Sequence, residues 1–146
     1  MRQLGLICQQ RQAFKVTTKH NEKHLVQPNL LNQNFQPLFA NEVWAGDITY
    51  IKTSQGWRYL AMVMDLFSRR IVGWSLAERM KADLVIQALQ QAHTLRQPQY
   101  GCVFHCDRGS QYTSRALAKK ASQLKMRLSM SDVGCCYDNA VVERFF

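Results

Sequence analysis

Apolar and polar residues alternate along the middle of the chain in a way that predicts three consecutive β-strands. The first predicted strand spans 43–53, and its antiparallel partner spans 57–66 after a hairpin turn at 54–56. A second turn at 68–70 leads to a third predicted strand at 71–77. Together these segments predict an antiparallel meander.

Beyond residue 80 the apolar period lengthens to that of α-helices, which alternate with short strands. Ser114 is a suitable N-cap, because its hydroxyl can accept a hydrogen bond from the first turn of a helix. The predicted elements are a helix at 81–95, a strand at 102–106, a helix at 113–124, a strand at 126–130 and a final helix that begins near Asp138 or Asn139.

Three antiparallel strands followed by helix, strand, helix, strand and helix predict an α/β fold. In this fold, helices flank a mixed five-stranded sheet. We assign the domain to residues 41–146 and treat residues 1–40 as a separate region.

The charge of the chain suggests a polyanion as partner. Lys and Arg outnumber Asp and Glu by 19 to 10, and the formal net charge is +9. Such a balance suits DNA, because each neutralised phosphate releases counterions. Residues 1–40 are polar and predict a short helix near 2–12 followed by a basic arm, which either contacts DNA or serves as a solvated linker.

Cysteine usage and hydropathy bear on the compartment. The five cysteines include no CxxC pair, which argues against a zinc site or a disulfide framework and favours a reducing compartment. The N-terminal segment lacks the apolar core of a signal peptide, and no apolar run approaches the roughly 18 residues of a membrane span. We therefore expect a cytoplasmic protein with no membrane partner.

Three acidic residues stand in largely apolar surroundings. They are Asp47 in WAGDITYI, Asp107 in FHCDRGSQY and Glu143 in DNAVVERFF. Asp107 follows a predicted strand, at the carboxyl end where open α/β sheets usually place their sites, and Gly109 allows a sharp turn there. A buried carboxylate is costly unless it is paired, so each of these acids needs a partner.

If the three carboxylates converge, their mutual repulsion favours a bound cation, and hard oxygen ligands select Mg²⁺ (or Mn²⁺) over zinc. Two such ions would activate a water or a 3′-hydroxyl and stabilise the leaving oxygen in phosphodiester displacement. Taken singly, each acid has an ordinary alternative. Asp47 could bond to neighbouring backbone, Asp107 could cap a turn, and Glu143 could pair with Arg144 or face solvent.

Other acids are weaker candidates for such a site. Asp65 precedes a turn in which we expect it to pair with Arg69 or Arg70. Asp83 falls early in a predicted helix, where its charge suits the helix dipole, and Asp132 falls in a predicted loop.

From about Asn29 onward the chain resembles the integrase core of bacterial insertion-sequence DDE transposases of the two-reading-frame group, which are related to retroviral integrases. The resemblance is carried by PNLLNQNF, WAGDITYI, DLFSRRIVGW, HCDRGSQYTS and YDNAVVERFF, and by the 35 residues between Asp107 and Glu143. It implies a ribonuclease-H-like fold, with Asp47, Asp107 and Glu143 as the catalytic and metal-binding triad. The implied reaction is cleavage at transposon ends followed by strand transfer into target DNA.

Residues near the triad are candidate DNA contacts. Within the resemblance, Gln111 and Tyr112 match the motif after the second aspartate, and Asn139 matches the motif before the glutamate. Amide and aromatic side chains can bond to or stack on DNA, and basic side chains can contact phosphate. The predicted DNA-binding residues are Arg108, Gln111, Tyr112, Lys119, Lys120 and Asn139. Two alternatives stay open: the two lysines could form a solvated helix face, and Tyr112 could be a core aromatic residue.

The chain departs from the family pattern in three respects. Asp132-Val133 stands where such proteins typically carry a basic pair, and Cys135 replaces a polar residue. Both ends look shortened, because MRQLGL resembles the end of an upstream helical DNA-binding region and Glu143 lies three residues from the C-terminus. We therefore expect the last helix to be incomplete.

Two alternative functions remain beside the transposase core. One is a truncated, catalytically inactive remnant that binds DNA, or that oligomerises with itself or with full-length transposase. The other is a stand-alone ribonuclease-H-like nuclease.

Overall fold

The computed structural model describes residues 25–132. Its elements in chain order are β1 (Val43–Thr53), β2 (Gly56–Asp65), β3 (Arg70–Ala77), α1 (Ala82–Arg96), β4 (Val103–Cys106), α2 (Arg115–Gln123) and β5 (Arg127–Met130). The predicted order of strands and helices is confirmed over this range. The predicted helix near 2–12 and the predicted final helix lie outside the described residues.

The β1–β2 hairpin forms at the predicted turn. Gly56 adopts a positive φ of 109°, which a residue without a Cβ tolerates at no steric cost. The Thr53 hydroxyl donates to the Gly56 carbonyl at 2.7 Å and accepts from the Gln55 amide at 3.3 Å. These bonds close the turn and fix the register of the two long strands.

The five strands form one mixed sheet in the order β3-β2-β1-β4-β5. β1, β2 and β3 pair antiparallel, as the meander predicts. β4 instead pairs parallel with β1, and β5 pairs parallel with β4, because α1 and α2 carry the chain back before each of these strands. The parallel half of the sheet therefore has a carboxyl edge of the kind that positions functional side chains.

Both helices contribute to the main hydrophobic core, on one side of the sheet. Ala88 and Leu89 of α1 and Leu117 of α2 are fully buried there with Trp44 and Phe104 of the sheet. The Ser114 side chain caps α2 by accepting from the Leu117 amide at 3.2 Å, as predicted. Within residues 25–132, neither helix is long and apolar enough to cross a membrane.

A second, smaller core involves the segment that leads into β1. Leu31 is buried with Ala45 and Met64 of the sheet. The Leu30 amide donates to the Ser129 hydroxyl at 2.9 Å, and the Met130 amide donates to the Pro28 carbonyl at 3.3 Å. Residues in the range 28–31 thus pack along β5. The domain boundary that the sequence predicts near residue 41 stays a prediction.

Candidate active site

Two of the three predicted catalytic acids lie just beyond the last residue pair of the β1–β4 ladder. The parallel register of β1 with β4 pairs Ala45 with His105. Asp47 and Asp107 each follow this last pair by two residues, and both lie close enough to Tyr112 to raise the pKa of its hydroxyl. Neighbouring strands lie about 4.8 Å apart, a spacing at which two carboxylates can share one ion.

The Asp107 carboxylate is half-buried, and donors within residues 25–132 fill only part of its acceptor capacity. Its Oδ1 accepts from the Gly109 amide at 2.8 Å. Among the described residues this is the one hydrogen bond to that carboxylate, whereas an ionised carboxylate offers about four lone-pair positions. Burial raises the pKa of the Asp107 carboxyl above its ordinary value of 3.8, and the Gly109 hydrogen bond opposes this shift.

Asp47 is also half-buried, and its Oδ1 accepts from the amide of the next residue, Ile48, at 2.8 Å. Gly46 beside it packs closely on β4, because a Cβ at that position would lie 2.5 Å from Cζ of the buried Phe104. The glycine therefore permits the close approach that sets Asp47 beside the end of β4.

Tyr112 lies next to both aspartates but faces the core. It is 2% exposed, and its ring packs against Phe104 at a centroid distance of 6.3 Å. Burial raises the pKa of its hydroxyl well above 10.0, and Cys106, Asp107 and Asp47 raise it further. Among the described residues the hydroxyl has no hydrogen-bond partner.

The oxygen donors at this edge fit a hard divalent cation such as Mg²⁺. Cys106 precedes Asp107, but burial raises the pKa of its thiol well above 9.0 and keeps it protonated. Within residues 25–132 no group of three or more His, Cys, Asp or Glu side chains could hold a metal. The third predicted ligand, Glu143, lies outside this range.

Asp65 departs from the sequence-based expectation. We expected it to pair with Arg69 or Arg70, and that expectation is wrong, because no ion pair among the described residues joins them. Asp65 is instead fully buried, and its oxygens accept from the Asn41 amide at 3.0 Å, the Ser68 amide at 3.1 Å and the Ser68 hydroxyl at 2.6 Å. Arg69 turns away and donates to the Phe35 carbonyl at 2.9 Å.

The predicted DNA-binding residues divide by exposure. Lys119 is exposed on α2, and the neighbouring Lys120 is half-buried and donates to Gln90 Oε1 at 3.3 Å. Gln111 is half-buried and donates to the Met80 carbonyl at 3.3 Å. Tyr112 is a core aromatic, and Asn139 lies outside the described residues.

Arg108 is engaged within the protein. Its Nε donates to the Ser131 carbonyl at 2.6 Å, and a terminal guanidinium nitrogen lies 3.2 Å from Asp132 Oδ1. Sequence reasoning treated Asp132 as a loop residue and missed this pairing. The pairing follows from the β4–β5 register, which pairs Cys106 with Met130, because the two charged residues each follow that pair by two positions.

Asp47 and Asp107 do not line the surface cavity beside α2, which is formed by other residues of the range 25–132. This cavity, of about 530 Å³, lies between α2, β5 and the lead-in segment, where Pro28, Tyr100 and Lys125 help to line it.

Solved structures share this fold. One is a chain of the simian T-cell lymphotropic virus intasome in complex with PP2A regulatory subunit B56 gamma, with a TM-score of 0.69 and 22% sequence identity. The match covers 87% of the present chain and 44% of the intasome chain. The HTLV-2 integrase catalytic core domain in complex with magnesium, in its dimeric form, matches 74% of this chain with a TM-score of 0.61 and 22% identity, over 66% of its own length. The predicted ribonuclease-H-like fold of integrase cores is confirmed.

Residues 39–136 match the family model of the integrase core domain, and the chain belongs to this family. It is 49% identical over 121 residues to the transposase InsF for insertion sequence IS3fB of Escherichia coli strain K12, which covers 83% of this chain and 42% of the relative. It is 43% identical over all 146 residues to the transposase InsF for IS3A of the same strain, covering 51% of that relative. The chain thus spans about half the length of the curated relatives it matches.

Proposed function

We propose that this chain is the catalytic core of a DDE-type DNA transposase, which cleaves transposon ends and joins their 3′-hydroxyl strands to target DNA. One observation carries the proposal: the last pair of the β1–β4 ladder, Ala45 with His105, stands two residues before Asp47 and Asp107 at the carboxyl edge of the sheet. Membership of the integrase core family and the relatives' description as transposases support it.

Asp47, Asp107 and Glu143 are proposed to hold Mg²⁺ (or Mn²⁺), as two ions. The bound ions would activate a water or a 3′-hydroxyl and stabilise the leaving oxygen of a phosphodiester. Asp47 and Asp107 would supply oxygen ligands from neighbouring segments, and the Gly109 amide would orient the Asp107 carboxylate. The magnesium in the HTLV-2 core supports this choice of metal.

DNA would lie along the edge of the sheet beside these carboxylates. Lys119 is exposed and can approach a phosphate, and Gln111 is half-buried near the site. Lys120 and Asn139 complete the proposed DNA-binding set, whereas Tyr112 is buried in the core and Arg108 is bonded to Ser131 and Asp132. The net charge of +9 supports a polyanion partner.

Further polypeptide is a second proposed partner, either another copy of this chain or full-length transposase. Trp74 is 55% exposed and Leu76 is 48% exposed on β3, and exposed apolar patches often mark contacts with other chains. The intasome assembly and the dimeric form of the HTLV-2 core are consistent with oligomers.

Calorimetric titration with Mn²⁺ tests the metal site directly. The chain should bind Mn²⁺, and Asp107→Asn should weaken binding by about 100-fold or more, because a ligand oxygen is lost. Glu42→Gln is the matched control, since it removes one negative charge beside the N-terminal end of β1 and leaves an oxygen to accept from the Leu38 amide. Equal Mn²⁺ binding by the chain and the Asp107→Asn variant would refute the proposed site.

A cleavage and strand-transfer assay on DNA carrying transposon ends tests the reaction itself. Activity that requires both Mn²⁺ and Asp107 would support the catalytic core. DNA binding that persists without either, in a chain that never cleaves, would support the inactive DNA-binding remnant instead.

A further inference from the structure

Arg108 immediately follows the proposed metal ligand Asp107, yet its guanidinium is directed to the neighbouring strand end. It donates from Nε to the Ser131 carbonyl at 2.6 Å and pairs with Asp132 Oδ1 at 3.2 Å. The Arg108 side chain is 26% exposed. Most of its side-chain surface is therefore covered by protein, and two of its five N–H donors have protein acceptors.

Asp132 extends this contact to a third segment. Its second oxygen, Oδ2, accepts from Asn29 Nδ2 at 3.2 Å. The Oδ1 of Asn29 in turn accepts from the amides of Leu31 and Asn32, each at 3.1 Å. The Arg108–Asp132–Asn29 cluster thus ties the turn after β4, the end of β5 and the lead-in segment together.

The turn held by this cluster also orients the proposed ligand. Among the described residues, the Asp107 carboxylate accepts from the Gly109 amide alone, so its direction depends on the conformation of residues 107–109. Arg108 is the middle residue of that turn. A side chain that fixes Arg108 to β5 therefore limits the orientations that Asp107 can adopt.

We propose that Arg108 is a positioning residue for the metal site, held by Asp132 and Asn29, and that it does not serve as a DNA contact. The inference rests on the proposed function, because it assumes that Asp107 binds a divalent cation. Loss of a group that hydrogen-bonds a metal ligand commonly lowers metal affinity by about 10- to 100-fold. Arg108 acts on Asp107 only through the backbone of the turn, so the effect of its loss should lie at the low end of that range.

A simple charge effect would have the opposite sign. Arg108 is a cation near a cation site, so its removal would tighten metal binding if electrostatic repulsion dominated. Loss of positioning would weaken binding instead. Arg108→Lys separates the two effects, because it keeps the charge but cannot make the same forked pair of hydrogen bonds.

The chain offers a matched control in a second arginine–acid pair. Arg58 lies 2.9 Å from Glu78, and the Arg58 side chain is 19% exposed, close to the value for Arg108. This pair joins β2 to the residue after β3, away from the Asp107 turn. Arg58→Met therefore removes a comparable ion pair without touching that turn.

The experiment measures Mn²⁺ affinity by calorimetry and thermal unfolding for the variants Arg108→Met, Arg108→Lys, Asp132→Ala and Arg58→Met. We expect the Mn²⁺ dissociation constant to rise about 10-fold in Arg108→Met and Asp132→Ala. It should rise less in Arg108→Lys and stay unchanged in Arg58→Met. The unfolding curves identify any variant that is not folded, and the milder lysine variant then carries the test.

Salt-dependent DNA binding supplies the decisive second readout. If Arg108 only positions Asp107, the slope of log affinity against log salt is the same in Arg108→Met and in the unaltered chain. A slope reduced by about 1 with unchanged Mn²⁺ affinity would make Arg108 a phosphate contact and overturn the inference. Unchanged or tighter Mn²⁺ binding in Arg108→Met would also overturn it. Absence of Mn²⁺ binding by the unaltered chain would instead contradict the proposed function.

Discussion

Asp65 ends β2 beside the N-terminal end of the parallel strands, whereas Asp107 follows β4 at their carboxyl end. The Asp65 carboxylate accepts three hydrogen bonds from Asn41 and Ser68, and it is fully buried. The half-buried Asp107 carboxylate accepts from Gly109 alone among the described residues. A carboxylate whose lone pairs are filled by protein donors stabilises a turn, while one with open lone pairs can bind a cation.

Asp65→Asn should produce the largest loss of stability. An amide has one acceptor oxygen, so either the Asn41 amide or the Ser68 donors would face an NH₂ group in a buried site. The free energy of unfolding should fall by about 2–3 kcal/mol, measured by urea denaturation. Mn²⁺ affinity of the folded variant should not change. A loss of metal binding without a loss of stability would reverse the roles assigned to the two aspartates.

Gly46→Ala tests the packing at the end of the sheet where Asp47 and Asp107 lie. The added Cβ would stand 2.5 Å from Cζ of Phe104, which is fully buried and cannot move freely. Overpacking of this kind costs about 1–3 kcal/mol, and the shift of β1 against β4 should also weaken Mn²⁺ binding. The double variant Gly46→Ala with Phe104→Leu should recover stability. Failure to recover would mean that the cost does not arise from this contact.

Local sequence features were enough to predict the order of the elements. The hairpin turn at Gly56 and the N-cap at Ser114 each depend on residues within a few positions, so pattern and turn chemistry placed them correctly. The strand bounds also agree closely, because alternation of apolar and polar positions follows the two faces of a sheet.

Contacts between distant segments were not predictable in the same way. The partners of Asp65 are backbone and hydroxyl groups of two loops, whose donors appear only once the chain has folded. The pairing of Arg108 with Asp132 depends on the parallel register of β4 with β5, which no local pattern specifies. Apolar surroundings singled out Asp47 and Asp107 as candidates, and the family resemblance implied that they act together.

Asp107→Asn should stabilise the metal-free protein, in contrast to the same substitution at Asp65. Burial raises the pKa of Asp107 in the folded state, so folding disfavours its ionised form. At neutral pH the substitution removes this cost, and the free energy of unfolding should rise by about 1 kcal/mol. The difference between the variant and the unaltered chain should shrink as pH falls through the raised pKa, because both side chains are then neutral. A destabilised variant would place Asp107 with Asp65 as a structural residue.

Tyr112→Phe should have the smallest effect on stability and tests whether the core beside the aspartates is purely apolar. The Tyr112 hydroxyl is buried without a hydrogen-bond partner among the described residues. Removing it ends an uncompensated desolvation cost, so the free energy of unfolding should stay equal or rise by up to about 1 kcal/mol in urea denaturation. DNA affinity should not change, since a side chain that is 2% exposed cannot stack on a base. A clear loss of DNA or Mn²⁺ affinity would instead assign the hydroxyl to the same edge of the sheet as Asp107.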